Sequence, residues 1–498
     1  MIAKILTLAV TIILLTACNS TQPTVKGVSS VGATTSPAEL NANTSTAIET
    51  KYMCEIATTN GLKPKPGQMD YFRMDPGGVG YVDLYGDGII DVVSGLSDAM
   101  FDASRFNSPE EVAEWFAGNK ERSTQATQAL FFSPDPNFVV PEAKVDHSRN
   151  ILPGDLNGDG IDDLVFFSMK RDFDHKINPN SGKAYNSVFL SGPNGYEIKA
   201  LPGDKEFWHG GSIGDIDNDG DLDIVATTWS VGPLGYINDG KGNFKAKYIF
   251  GNSHPRSKQY VSVTLWDIDK DGILDMVGAQ DGHYHPATNS IHWGKGNGKF
   301  ESRPTVLNPN YKKEGYELIS DNVFADLDGD GTEEIISLAS YDSLGEKYSY
   351  HGYRVFVTKL NGRKVSKRTV IDDVAGKNSW FPYIGACDLK NDGDMDLVIE
   401  RNGEMHTPRD ARNADKIVYE NDNGTFTKVM LAQTDIYENM TDTQRSEVIA
   451  EAERLGVAWE GYVPVQVYYP TSDGKRKGKT VADRPLRHLV KGTPVQFH

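Results

Sequence analysis

Carboxylates recur along this chain at a spacing that can hold a hard cation. Six segments carry an acid at positions 1, 5 and 9 around a glycine at position 6. They are Asp83, Asp87 and Asp91 with Tyr85 in third place; Asp155, Asn157, Asp159 and Asp163; Asp215, Asp217, Asp219 and Asp223; Asp267, Asp269, Asp271 and Asp275; Asp326, Asp328, Asp330 and Glu334; and Asp388, Asp392 and Asp396 with Lys390 in third place. Oxygens at alternate positions converge on one ion such as Ca2+, and the glycine permits the sharp turn this demands. The third, fourth and fifth copies have acids at every expected side-chain position and are the strongest calcium candidates. An ammonium at Lys390 opposes a cation, and Tyr85 offers no carboxylate. The expected role of these ions is structural, fixing the loop between two strands.

The elements around the loops are strands. An EF-hand has its last acid at position 12 and lies between helices. Here the flanks are short apolar runs, such as Gly211 to Gly214 before the third loop and Ile224 to Ala226 after it. A glycine-rich hairpin follows in several copies, as in Gly235–Phe244, His292–Phe300 and Val418–Phe426. Each unit is therefore strand A, metal loop, strand B, a variable loop, strand C, a tight hairpin and strand D. The first aspartates of successive copies lie 52 to 72 residues apart, and four-stranded units at such a period are propeller blades.

The predicted fold class is all-β, a seven-bladed β-propeller in which six blades carry calcium-loop motifs. A seventh blade without the signature is expected from residues 432–498, joined by a strand around Tyr52 to Ile56. That region includes a small C-terminal helical insertion near Thr443 to Leu455. A six-bladed ring with a C-terminal cap is the alternative. The loop and its trailing Asn-Gly-Phe hairpin resemble the FG-GAP/VCBS repeats of integrin α-subunits and many bacterial surface proteins, over roughly residues 70–430.

The N-terminus reads as an export signal. Lys4 precedes an apolar run from Ile5 to Leu15 that is too short to span a bilayer. Leu15-Thr16-Ala17-Cys18 resembles the bacterial lipobox, which makes Cys18 the lipidation site and the only membrane attachment. Residues 19–48, rich in Ser, Thr, Ala, Asn and Pro, read as a disordered tether, and 49–498 as one propeller domain, expected to be a monomer. The expected location is the bacterial cell envelope, as an exported lipoprotein at the outer membrane or surface, or released outside. Cys54 and Cys387 are open to a disulfide or to two buried thiols.

Net charge is −18, which disfavours nucleic acid as a partner. Much of that acidity lies in the metal loops, and six divalent ions would return about +12. The connections at the end of the blades away from these loops are different. They hold seven of the eleven histidines. Their candidate ligand-binding residues are Arg149, His175, Trp208, His254, Lys258, His283, His285, Tyr316, Trp380, Arg401 and His406. Guanidinium, ammonium and aromatic faces suit an anionic polysaccharide. His283 and His285, joined by another rim histidine, form a candidate Zn2+ site.

The whole pattern also resembles the propeller-fold ulvan lyases of marine bacteria. That resemblance implies a polysaccharide lyase cleaving a uronate-containing, ulvan-like polymer by β-elimination. The reaction needs a group to neutralise the C5 carboxylate, a base and an acid. The candidates are Arg256 for neutralisation, His147 or His209 as base, and Tyr236 or Tyr260 as acid. The competing reading is a non-catalytic glycan-binding or adhesion propeller.

Overall fold

The computed structural model describes residues 37–58, 79–94, 127–132, 139, 141–146, 148–168, 183–228, 232–251, 260–280, 289–307, 316–342, 352–375, 383–390, 392–400, 416–431, 465–470, 476–481 and 495–496. Six antiparallel sheets follow one another, each opening on strands that flank a metal loop. The first pairs Val79–Val82, Asp91–Ser94 and Leu130–Phe132. The second runs Ser148–Gly154, Asp163–Ser168, Ser187–Leu190 and Glu197–Ala200, and the third Trp208–Gly214, Asp223–Thr228, Leu234–Ile237 and Lys245–Tyr248. The fourth comprises Tyr260–Trp266, Asp275–Gln280, Asn289–His292 and Thr305–Val306, and the fifth Tyr316–Ala325, Glu334–Asp342, Gly352–Asn361 and Lys364–Ala375. The sixth comprises Tyr383–Cys387, Asp396–Glu400, Lys416–Asp422 and Thr425–Leu431. In the second to sixth sheets these four strands are consecutive in sequence. Each is a meander, which puts the metal loop and the C–D hairpin at one end and the other connections at the opposite end.

The first strand of each sheet packs on the first strand of the next. Side chains between adjacent sheets form the core. Phe131, Ile151, Phe166 and Phe189 fill the first interface; Phe167, Trp208, Ile213 and Tyr236 the second; Val225, Tyr260, Val263 and Met276 the third. Trp266, Trp293, Phe324 and Ile335 fill the fourth, and Val323, Leu338, Ile384 and Leu397 the fifth. Such packing needs close approach at the inner strands. A Cβ added at Gly211 would lie 2.3 Å from the Phe167 ring and 2.4 Å from the Val225 carbonyl, so glycine is required there. This is an all-β, propeller-like arrangement, with six sheets that carry a metal loop among the described residues.

Two short helices precede the sheets, α1 (Pro37–Ala42) and α2 (Ser45–Thr58). They replace two expectations. Residues 37–48 are largely helical instead of belonging to a disordered tether, and Tyr52 to Ile56 is helix instead of strand. The helix starts because Thr44 caps it: its Oγ1 accepts the Ala47 N–H at 3.3 Å, while its own carbonyl accepts the Ile48 N–H at 3.1 Å. Helix α2 packs on the first strands of the first, second, third and sixth sheets.

The C-terminal strands do not assemble with that segment into a seventh sheet among the described residues. Val465–Pro470 and Arg476–Val481 pair with each other, and Val495–Gln496 adds to the outer edge of the sixth sheet beside Thr425 and Phe426. The helix expected near Thr443 to Leu455 lies outside the described residues. Cys387 is disulfide-bonded, and its strand is the one against which α2, the helix carrying Cys54, packs. No helix among the described residues is long and apolar enough to cross a membrane.

Candidate metal loops and a channel cavity

All six loops fold alike. In each, the backbone N–H groups at positions 5 and 6 donate to the carboxylate at position 1, at 2.8 to 3.2 Å. The glycines at position 6 have φ between 81° and 95°, a conformation that residues with a side chain rarely adopt. These bonds use only positions 1, 5 and 6. The first and sixth loops therefore keep the shape despite Tyr85 and Lys390. Tyr85 turns outward to the Val139 carbonyl at 2.7 Å, and Lys390 lies 3.6 Å from Glu420.

The carboxylate at position 9 ties the loop to the sheet. One oxygen accepts the N–H of position 2, as Asp223 does from Ile216 at 3.1 Å. The other accepts an N–H at the end of strand C: Ser191 to Asp163 at 2.6 Å, Asn238 to Asp223 at 2.8 Å, Gly294 to Asp275 at 2.7 Å and Asn421 to Asp396 at 2.7 Å. Burial pushes Asp163 up to about 7 and Asp223 and Asp275 up to about 8, despite these bonds.

Three groups of acids converge closely enough to hold a metal ion, with ligand atoms within 4.8 Å of one another. They are Asp215, Asp217 and Asp223; Asp267, Asp269 and Asp271; and Asp326, Asp328 and Glu334. These are the third, fourth and fifth loops, the copies with acids at every expected position. In each, the third-position acid buries one oxygen without a hydrogen bond: Oδ1 of Asp217, Asp269 and Asp328. A buried carboxylate oxygen without a donor is what a divalent ion would satisfy, so the residues fit calcium at the level of ligand type. In the second loop Asn157 turns its amide nitrogen toward Asp163 at 3.3 Å and Ser191 at 3.1 Å, an orientation that serves hydrogen bonding.

The second feature is a cavity of about 100 Å³ among the first strands of the second to sixth sheets. Its residues include Arg149, Asn150, His209, Ser262, Ser320, Asp321 and Tyr383 from the strands, with Ser45, Thr46 and Glu49 from α2. The helix closes the metal-loop end. Ser45 Oγ accepts the Ile213 N–H at 3.0 Å, two residues before Asp215. Asn41 Oδ1 accepts the Asp267 N–H at 2.7 Å, and Tyr52 donates to Asp162. Arg149, His209 and Tyr383 lie at the starts of their strands, toward the opposite end.

The charges in the cavity are sorted by burial. Arg149 Nη1 donates to His209 Nε2 at 2.9 Å; since guanidinium can only donate, the imidazole carries its hydrogen on Nδ1 and gives it to the Val261 carbonyl at 3.2 Å. Burial, then the Arg149 charge, holds His209 well below its ordinary value, so it is neutral. Glu49 is held well above the carboxylate range by burial and by the Asp321 charge, and burial pushes Asp321 up to about 7.

The sequence-derived candidates divide accordingly. Arg149 and His209 meet in this cavity. Trp208, Tyr236 and Tyr260 do not reach it from the expected rim; they are core. Trp208 donates to the Ala184 carbonyl at 2.9 Å, Tyr236 packs beside it, and Tyr260 donates to His292 Nε2 at 2.5 Å. Both tyrosines are buried between sheets, Tyr260 from a first strand and Tyr236 from a third, so neither is placed to serve as an acid for bound sugar. Tyr316 begins the first strand of the fifth sheet. His147, His175, His254, Arg256, Lys258, His283, His285, Trp380, Arg401 and His406 lie outside the described residues, as does Cys18. Sequence reasoning missed Glu49, Asn150 and Asp321. The one signal for Glu49 was the Thr44 cap ahead of Ala47, Ile48 and Glu49.

Residues 215–278 and 267–337 match the FG-GAP-like repeat family, the stretch that spans the third, fourth and fifth loops. No curated protein matches the chain. The match describes the repeat and gives no support to a likeness with ulvan lyases.

Proposed function

We propose that this protein is a calcium-stabilised glycan-binding propeller, exported and lipid-anchored at Cys18, which receives an acidic substituent of a uronate-containing polysaccharide in the channel cavity. The observation that carries this reading is Arg149. Its guanidinium faces a cavity, and among the described residues its one hydrogen bond is to a neutral imidazole, with no carboxylate paired to it. Asn150 Oδ1, in the same cavity, is buried without a hydrogen-bond donor. A carboxylate or sulfate would take the guanidinium, and a sugar hydroxyl the amide oxygen.

Size and hydrogen bonding favour binding over β-elimination. A cavity of about 100 Å³ admits a substituent, whereas sites for whole drug-sized ligands span roughly 300–1,000 Å³. His209 has its Nε2 lone pair committed to Arg149 and its Nδ1 hydrogen to Val261, leaving it no capacity as a base. The lyase reading then rests on His147 and Arg256.

One experiment separates the two. The purified full chain, loaded with calcium, is passed over immobilised ulvan, polygalacturonate and chondroitin sulfate, and unsaturated uronate is followed by absorbance. Retention without an absorbance rise is expected, with Arg149→Gln weakening retention about 10-fold or more, the size of a lost charge-assisted hydrogen bond. A steady rise in absorbance would establish the lyase; no retention on any of the polymers would sink the glycan reading.

A further inference from the structure

The three acidic clusters differ in what already neutralises them. In the fifth loop Lys359, two residues before the end of strand C, extends its ammonium into the ligand set. Nζ bonds Asp328, lies 3.3 Å from Asp330 Oδ2 and 3.3 Å from Glu334 Oε1. The side chain is only 19% exposed, so this is an interior contact. Residues at the corresponding register in the second, third, fourth and sixth sheets are Leu190, Ile237, Trp293 and Glu420, none of them cationic. The fifth loop is also the copy with glutamate at position 9. Glu334 Oε2 keeps the bond from the Leu327 N–H at 2.9 Å, while Oε1 is buried without a hydrogen bond, 3.3 Å from the lysine ammonium.

The fourth loop is entered from the neighbouring sheet. Arg363, in the hairpin between Gly352–Asn361 and Lys364–Ala375, donates Nε to Asp269 Oδ2 at 2.6 Å and Nη2 to Asp271 Oδ2 at 3.3 Å. The hairpin is pinned there. The Arg363 guanidinium stacks 4.6 Å from the centre of the Trp293 ring, and its carbonyl accepts from Thr305 Oγ1 at 3.0 Å. In the third loop no Lys or Arg nitrogen bonds Asp215, Asp217, Asp219 or Asp223 among the described residues. Lys247 acts on Asp217 only at a distance, its ammonium being given to the Asn297 carbonyl at 2.6 Å.

We propose that Lys359 and Arg363 are built-in counter-cations that take the place of calcium in the fifth and fourth loops, so that of the three clusters only the third is set for a metal ion. An ammonium bonded to Asp328 and close to Asp330 and Glu334 occupies the volume an ion would need, and its charge repels one. The guanidinium bridges two carboxylates of the fourth loop and fastens the fifth sheet to the fourth. The fourth and fifth loops are then closed without metal, and the fifth depends on a residue of its own strand C.

The test counts calcium in the full chain after equilibrium dialysis at saturating free calcium, by atomic emission against protein concentration. Asp217→Asn should lower the bound number by one relative to the unsubstituted chain, and Asp328→Asn should leave it unchanged. Lys359→Met and Arg363→Met should each raise it by one, and their thermal midpoints should become more calcium-dependent than that of the unsubstituted chain. If Asp328→Asn loses one ion, or if Lys359→Met folds and gains none, the lysine is not a substitute for the metal. The two asparagine variants are near-isosteric, so the comparison stands even where a methionine variant fails to fold. The outcome is independent of whether any glycan binds.

Discussion

Asp321 and His209 share one cavity and respond to pH in opposite directions. Burial pushes the Asp321 carboxyl up to about 7, although the N–H groups of Ile384 and Asn322 favour its charged form. In the unfolded chain it returns to about 4. Between those values the folded protein holds the proton and the unfolded chain does not, so its contribution to stability is complete below about pH 4 and is lost as pH rises through about 7. His209 is depressed, so the unfolded chain takes up a proton below about pH 6.5 while the folded protein does not. Its contribution is lost as pH falls below that value. Asp321→Asn removes the first effect and leaves the second. In calcium-saturated urea melts the variant should gain on the unsubstituted chain by roughly 1 kcal/mol per pH unit between pH 5 and 7. A difference between the two proteins that is the same at pH 4.5 and pH 8 would show that Asp321 does not titrate in this window. None of this was legible from residue type, because Asp321 lies mid-strand, five residues before the loop acid Asp326, in a run that reads as ordinary strand.

Among the elements, strands and loops were legible and the helical segment was not. The loops announce themselves through acids and glycine at fixed spacing, and the buried strands through apolar runs such as Asp163–Ser168, inaccessible at every position. Helix α2 announces itself poorly. Its N-terminal part docks through polar side chains, so Ser, Thr and Asn that suggest a solvated tether are its anchoring groups. Asn41, near the end of the preceding α1, docks in the same way: Oδ1 accepts the Asp267 N–H at 2.7 Å and Nδ2 donates to the Asp267 carbonyl at 3.4 Å. Both atoms belong to the first residue of the fourth metal loop, which is fully buried. Asn41→Ala strands a buried N–H and should cost about 1–3 kcal/mol of unfolding free energy. Hydrogen exchange should locate the loss in α1, α2 and the inner strand Tyr260–Trp266. Unchanged stability, or exchange that rises evenly through all six sheets, would mean that the segment merely rests on the channel.

Across the whole molecule the repeated unit explains both the architecture and the charge. Each sheet is buried by its neighbours, so five interfaces between consecutive sheets must form together. The metal loops all sit at one end of the sheets, and much of the −18 charge is gathered there. The blade count was less legible than the repeat, because residues 432–498 carry strand-like runs without the metal signature, and Val495–Gln496 extends the sixth sheet. The third loop is where this charge most needs a metal. Burial pushes Asp223 up to about 8, Asp215 and Asp217 are also raised by burial, and no side-chain cation is bonded to them among the described residues. Removing calcium leaves those anions facing one another between two inter-sheet cores. An ion present at 100 times its dissociation constant stabilises the folded state by about 2.7 kcal/mol. At about 2.1 cal/mol/K of unfolding entropy per residue a chain of this size shifts its midpoint by about 1 °C per kcal/mol, so chelation should lower it by roughly 3 °C. Calcium should restore it. Sodium chloride should not, since screening acts weakly on buried pairs. A thermal midpoint indifferent to chelator, or one recovered equally by salt, would remove calcium from the account of how these sheets are held together.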